Sequence, residues 1–241
     1  MAYTTINDPS AYFHTQLYTG NGSSNNAITN DANSGNFKPD WLWIKSRSYL
    51  DLHMAFDSSR GRDKRIFPNL NNAEADSSPD NFLKSFDTDG FTIGNDPGLN
   101  TNGGTLVAWQ WKANGATTAS NASGSITSTT QVNTTAGFSI VTYTGNGVNG
   151  ATVGHSLGVV PQMIMVKRLD SAANWMVYHE AMGPTKAMFL DLTAANDADA
   201  GYWSNTAPTT GIFNLGTNTK GNANGGTYVA YCFKSIKPYR S

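Results

Sequence analysis

Asn102-Gly103-Gly104-Thr105-Leu106-Val107-Ala108-Trp109-Gln110-Trp111-Lys112 decides the fold. Val107, Trp109 and Trp111 alternate with Ala108 and Gln110, the period of two that a half-buried β-strand imposes. The Asn-Gly-Gly that precedes the run is turn chemistry. The same stretch returns as Asn224-Gly225-Gly226-Thr227-Tyr228-Val229-Ala230-Tyr231-Cys232-Phe233-Lys234, again with the bulky residues on one face. Outward from this pair, residues 39–112 align without a gap with 161–234, and about a quarter of the positions are identical. They include Lys45 and Lys167, Met54 and Met176, Gly61 and Gly183, Lys64 and Lys186, Phe67 and Phe189, Phe91 and Phe213, and Gly94 and Gly216. Further upstream, Tyr18-Thr19-Gly20-Asn21-Gly22 returns as Tyr143-Thr144-Gly145-Asn146-Gly147. Self-similarity of this length reads as an internal duplication.

Each copy reads as β. Residues 41–45 and 163–167 are short apolar runs of strand length, and further strands are expected at 52–57, 64–68, 90–93 and 138–143. Residues 71–85 suit a short helix or an ordered loop. Many short strands, punctuated by Gly and Asn, predict an all-β chain of two tandem, jelly-roll-like β-sandwich modules. The expected organisation is an N-terminal arm over 1–17, a first sandwich over 18–113, a linker over 114–136 and a second sandwich over 137–241. Gly, Ala, Ser, Thr and Asn fill almost all of the linker, as in flexible connectors. Strand-forming residues at 125–132 leave room in it for a β-ribbon.

Composition narrows the functional classes. The chain has 241 residues, enough for two such domains, and 14% are charged, against roughly 25% in an average globular protein. Gly, Ser, Thr and Asn supply about two fifths of the chain, so its surface is wetted by hydroxyls and amides. A net charge of −1 provides no field that would draw nucleic acid or an anionic membrane. No apolar run is long enough for a membrane-spanning helix, and residues 1–10 lack the apolar core of a secretory signal. With one cysteine, Cys232, there is no intrachain disulfide framework and no Cys-based zinc cluster.

Several motifs invite chemistry. Gly154-His155-Ser156-Leu157-Gly158 fits G-x-S-x-G, but that motif needs a strand–turn–helix elbow. In a β context these glycines read as turn residues. Asp87-Thr88-Asp89-Gly90 resembles the start of a calcium loop without the ligands that would complete it, and reads as a β-turn. The four histidines have no metal-ligand spacing, and no acidic pair recurs in both copies as a glycosidase would need. No catalytic residue, metal or cofactor is expected.

Two groups remain as contact candidates. Arg60, Arg62 and Arg65 lie in the one dense charge cluster and suit an acidic partner or an anionic sugar. A solvated hairpin with internal Asp–Arg pairs is the competing and favoured reading. Trp175 and Trp203 have no aromatic counterpart in the first copy, which makes them candidates for exposed contacts with a partner or glycan. Trp41, Trp43, Trp109 and Trp111 are replaced by Met163, Met165, Tyr231 and Phe233, a substitution pattern that suits core or inter-sheet packing.

The residues 1–13, Tyr18-Thr19-Gly20-Asn21-Gly22, Lys38-Pro39-Asp40-Trp41-Leu42-Trp43-Ile44-Lys45, Phe56-Asp57-Ser58-Ser59-Arg60-Gly61, Ser85-Phe86-Asp87-Thr88-Asp89-Gly90-Phe91 and Val107-Ala108-Trp109-Gln110-Trp111-Lys112 carry a resemblance. They resemble an uncharacterised repeat domain of virion structural and tail-fibre-like proteins of tailed, largely marine phages. The second copy resembles it through Gly137-Phe138-Ser139-Ile140-Val141-Thr142-Tyr143-Thr144-Gly145-Asn146-Gly147. The resemblance implies a virion location and brings no catalytic residues. The resulting expectation is a non-enzymatic protein of the particle surface, made in the host cytoplasm. A tail appendage or fibre-type protein used in host attachment comes first, with capsid (head) decoration or a head fibre as the alternative. A free carbohydrate-binding module is a third reading. Expected partners are other virion proteins, reached through residues 1–17, and a host surface glycan or envelope protein. A homo-oligomer is expected, without nucleic acid and without membrane insertion.

Overall fold

The computed structural model describes residues 6, 8–31, 37–76 and 81–235. They form an all-β chain that divides into two compact units. The first unit comprises Ile6–Asn69 and Glu74–Ala116; the second comprises Leu70–Ala73 and the chain from Thr117 onward.

In the first unit, β1 (Phe13–Thr19), β2 (Asn26–Thr29), β3 (Trp41–Ser46), β4 (Met54–Asp57), β5 (Lys64–Ile66), β6 (Ala75–Asp76), β7 (Leu83–Asp87), β8 (Gly90–Ile93) and β9 (Thr105–Trp111) form two antiparallel sheets. The larger runs β1-β9-β3-β4-β5-β6 and the smaller β2-β8-β7. In the second unit the strands are β10 (Ala119–Asn121), β11 (Ser128–Asn133), β12 (Phe138–Thr144), β13 (Ala151–Gly154), β14 (Met163–Arg168), β15 (Met176–His179), β16 (Met188–Phe189), β17 (Ile212–Leu215) and β18 (Thr227–Phe233). Its larger sheet runs β10-β11-β12-β18-β14-β15-β16, faced by β13-β17.

Register recurs between the units. Phe13 pairs with Trp111, and Trp111 with Trp41; Phe138 pairs with Phe233, and Phe233 with Met163. Ile28 faces Phe91 as Val153 faces Phe213. The alternation of side chains puts Leu42, Ile44, Met54, Phe56, Leu106 and Ala108 on the enclosed face of the first large sheet, all buried with Ile28, Phe91 and Ile93. The second core gathers Val141, Tyr143, Ile164, Val166, Met176 and Tyr178 with Val153, Phe213 and Leu215. Each such side chain taken from water contributes about 1.5–3 kcal/mol.

The Tyr-Thr-Gly-Asn-Gly stretches are held by a buried asparagine. Asn100 accepts from the Asn21 amide at 2.9 Å and from Asn26 Nδ2 at 2.8 Å, and donates to Gly94 O at 2.8 Å. Asn222 accepts from the Asn146 amide at 2.9 Å and donates to Gly216 O at 2.8 Å. A Cβ at Gly20 would sit 2.3 Å from Thr101 O, and one at Gly145 would sit 2.5 Å from Ala223 O, so neither position tolerates a side chain.

Three expectations about organisation change. Residues 114–136 are not a linker throughout: β10 and β11 join the second large sheet, and Ser128 Oγ donates to Gly154 O at 2.8 Å. Small hydroxyls are buried there because each finds a hydrogen-bond partner, which composition does not reveal. Residues 13–17 of the expected arm are the first five of β1 and pair with β9. At 71–85 the described residues hold β6 and the start of β7 rather than a helix; 77–80 lie outside the described residues. Asp87 and Gly90 close the β7–β8 hairpin, with Gly90 at φ 106°.

Candidate functional site

Arg60 is interior. Its Nε lies 2.6 Å from Asp57 Oδ2 and its Nη1 2.5 Å from Glu74 Oε2, with the Asp57 carboxylate fully buried. Asp57 also accepts the amides of Ser59 and Arg60 at 3.1 and 2.9 Å. Arg60 is therefore a brace between β4 and Glu74, the internal-pair reading, and offers nothing to a partner. Lys64 bonds Asp76 across the β5–β6 pair, and that bond raises its pKa. Arg62 is exposed beside Asp63 at 3.6 Å and donates to Lys84 O. Arg65 lies with its guanidinium 3.8 Å over the Phe82 ring and 5.6 Å from the Phe67 ring centre. Burial lowers its pKa, against the opposing charge of Asp96. Of the three arginines, Arg62 alone presents an exposed head group.

Trp175 and Trp203, expected as exposed contacts, are both buried. Trp175 is 0% exposed: its ring stacks on Tyr231 at 6.3 Å and its amide donates to Asp191 Oδ1 at 3.0 Å. Its counterpart His53 is held the same way, by Asn69 Oδ1 at 3.0 Å. Trp203 stands on a four-residue helix (Ala200–Trp203) and inserts into the second core edge-on to Tyr178 at 5.7 Å. Its counterpart Asn81 is exposed. Trp203 marks a core completed differently: the small sheet has two strands in the second unit and three in the first. The four tryptophans read as packing residues form a layer on the face of the first large sheet opposite its enclosed side. Trp41 is fully buried there and stacks on Trp111 at 4.2 Å, and Trp43 meets Trp109 at 5.7 Å.

The nucleophile-like and metal-like motifs are engaged in structure. Ser156 has φ 59°, yet its Oγ accepts from Asn121 Nδ2 at 2.8 Å and pairs with Thr130 Oγ1 at 2.8 Å. His155 points elsewhere, its Nε2 bonded to Thr209 O at 3.1 Å while Nδ1 accepts the Leu157 amide at 3.2 Å; burial lowers its pKa. Asp87 accepts from Ser85 Oγ at 2.5 Å and Thr92 Oγ1 at 2.6 Å. Lys167 is fully buried and its Nζ donates to Ala173 O at 2.6 Å and Asn71 O at 3.2 Å. Burial pulls its pKa down to about 8, opposed by Asp191. Among the described residues no cluster of His, Cys, Asp and Glu is placed to hold a metal ion, and no helix is long and apolar enough to cross a membrane.

What the first unit does present is an apolar loop between β3 and β4. Tyr49, Leu50 and Leu52 are all exposed, Leu50 completely. The base of this loop is pinned on both sides. The Arg47 amide donates to Thr105 O at 2.8 Å, the Thr105 amide to Ser48 Oγ at 2.7 Å, and the Tyr49 amide to Ser46 Oγ at 3.1 Å. In the second unit, Asp170 Oδ1 takes over the Ser48 role by accepting the Thr227 amide at 3.1 Å. The tip there is Ser171-Ala172-Ala173-Asn174, small and polar. A rigid base under leucines in water suits contact with another molecule, because little ordering entropy remains to be lost on binding. The signal is present in the sequence: Tyr49, Leu50 and Leu52 stand opposite Ser171, Ala172 and Asn174 in the alignment of the two units.

The chain belongs to the DUF7483 family, a domain of unknown function, whose model matches residues 8–241. No curated protein and no solved structure matches it.

Proposed function

We propose that this chain is a duplicated, non-enzymatic surface protein of a tailed-phage particle, a tail appendage or fibre-type protein that contacts the host cell. The resemblance of its repeats supports the virion setting. The single observation that carries the contact role is the pinned loop with Tyr49, Leu50 and Leu52 in solvent. Leucine offers a sugar no hydrogen bond, so the loop fits an apolar patch on an envelope protein better than a glycan. Weak contacts of this kind gain strength through copy number on a particle.

Antibody labelling of purified particles in the electron microscope tests the setting. Label along the tail supports the reading, label over the head moves the protein to capsid decoration, and intact particles without label overturn it. The contact role is tested by host adsorption of particles carrying Leu50→Asp, for which a loss of about tenfold is expected, as for a central interface residue. Leu192→Asp, at an exposed leucine of the second unit, serves as the control. Equal adsorption of both variants removes the loop from the mechanism.

A further inference from the structure

We propose that the outer edge of β1, unpaired among the described residues, is a self-association site, at which β1 of a second copy of this chain adds as an antiparallel strand. The direction of the backbone groups follows from the bonds at its two ends. The Gly20 amide donates to Gly104 O at 2.8 Å, and the Lys112 amide donates to Tyr12 O at 2.9 Å. In an antiparallel ladder, bonded positions alternate. Even-numbered residues therefore face β9, and Phe13, Thr15, Leu17 and Thr19 turn their amides and carbonyls away from it. All four are exposed, and among the described residues no strand pairs with that edge.

The second unit shows what such an edge accepts. β12 occupies the place of β1, and its outer edge is filled by β11 through Phe138 with Asn133, Ile140 with Gln131 and Thr142 with Thr129. Phe138 and Ile140 are 2% and 0% exposed, whereas Phe13, in the place of Phe138, is 40% exposed and Thr15, in the place of Ile140, is also exposed. Phe13 packs against Trp111 at 5.0 Å as Phe138 does against Phe233 at 5.1 Å, both ring pairs tilted, so the two edges differ in cover rather than in conformation.

The chemistry of the strand favours its own copy as the occupant. An antiparallel pair about Gln16 sets Thr15 opposite Leu17 of the second copy and Phe13 opposite its Thr19, so every outward amide meets an outward carbonyl. The four outward residues carry no charge, so a two-fold brings no like charges face to face. The edge also lacks the usual defences against pairing: it holds no Lys and no Pro, and its register with β9 is unbroken from Phe13 to Thr19. Gln16 Nε2 already donates to Leu17 O at 2.9 Å, and the second lone pair of that carbonyl remains for an incoming amide.

Sedimentation equilibrium of the full chain, from about 1 µM to about 200 µM, tests the proposal in the affinity range of modest interfaces. A monomer–dimer equilibrium is expected. Thr15→Pro removes only an outward amide and leaves the β1–β9 bonds in place, so the chain stays folded by far-UV circular dichroism while dimerisation weakens at least about 30-fold. Leu17→Lys, which charges the edge without touching the backbone, gives a loss of the same order. Val148→Lys, at an exposed valine of the second unit, leaves the constant unchanged. Hydrogen exchange gives an independent reading: amides of Thr15 and Leu17 gain protection with concentration, and those of Gln16 and Tyr18 are protected throughout. A wild type that is monomeric over the whole range, or a dimer that both edge variants leave intact, overturns the proposal.

Discussion

The two units share a framework and part company at its margins. β1 ends the large sheet of the first unit, whereas β12, in the same place, is covered by β11 and β10. The enclosed positions Gln16, Asn26 and Gln110 of the first unit stand where the second has Val141, Ala151 and Cys232. Gln110 is fully buried and donates to Asn30 Oδ1 at 2.6 Å, but among the described residues its Oε1 finds no partner, a condition that costs about 1–3 kcal/mol. Arg60, Asp57 and Glu74 form a buried ionic brace where the second unit has Met182, His179 and Asn196. One pairing scheme thus tolerates an apolar or a polar core corner, and an open or a closed edge. Pairing depends on turns and backbone, while the margins depend on which side chains fill them.

That comparison can be broken at matched positions. The largest effect is expected at Trp203, whose change to Ala should cost about 3–5 kcal/mol through the cavity left in the second core. Asn81→Ala, at the aligned exposed position, should stay within about 0.5 kcal/mol. Urea unfolding followed by hydrogen exchange in the core of each unit reads both, and equal effects at the two positions would show that Trp203 does not belong to the second core.

Next in size is Arg60→Met, which installs the residue of the second unit while depriving buried Asp57 and half-buried Glu74 of the guanidinium that joins them. A loss of about 3 kcal/mol is expected, because the cost lies in the uncompensated carboxylates rather than in the missing attraction. Adding Asp57→Asn should recover part of it. An Arg60→Met chain as stable as the wild type would mean that the brace carries no structural weight.

The third test uses pH. Lys167 titrates at about 8 when folded and near 10.5 when unfolded, so the folded chain binds fewer protons between those values and stability rises through that window. The gain is expected to be about 2 kcal/mol after allowing for partial solvation. Buried Tyr143 and Tyr228, whose phenols are held protonated, act in the opposite direction above pH 10. The measurement is therefore the difference between wild type and Lys167→Met in chemical unfolding from pH 7.5 to 9.5. Parallel curves for the two chains would disprove the assignment. The smallest effect belongs to Gly61→Ala and Gly183→Ala. Both glycines have positive φ, 100° and 72°, with open space where a Cβ would stand, so each change should cost about 1 kcal/mol from backbone conformation alone. Thermal melts of the two variants should shift by similar amounts.

Much of the fold was legible in local pattern. The runs at 41–45, 90–93 and 163–167 are strands in the structure, as is all but the last residue of 105–112, and Asp87-Thr88-Asp89-Gly90 is the turn it reads as. β7 was hidden because Leu83-Lys84-Ser85-Phe86-Asp87 alternates only weakly, and β11 because Ser and Thr mimic linker composition. The candidate contacts were less legible. Arg60 carries the same charge as Arg62, but Glu74, fourteen residues away, takes it inside. Trp203 looked like a surface residue because the aligned position holds Asn81, yet burial there depends on how many strands the small sheet has.

Periodicity and turn residues alone determined that the chain is β and where strands such as those at 41–45, 90–93 and 163–167 lie, since these are properties of neighbouring residues. Which strand borders which, whether an edge is covered, and whether a tryptophan or an arginine ends in a core or in water were decided only by the tertiary structure. Each depends on groups that arrive from distant parts of the chain, as β11 does at β12 and as nothing among the described residues does at β1.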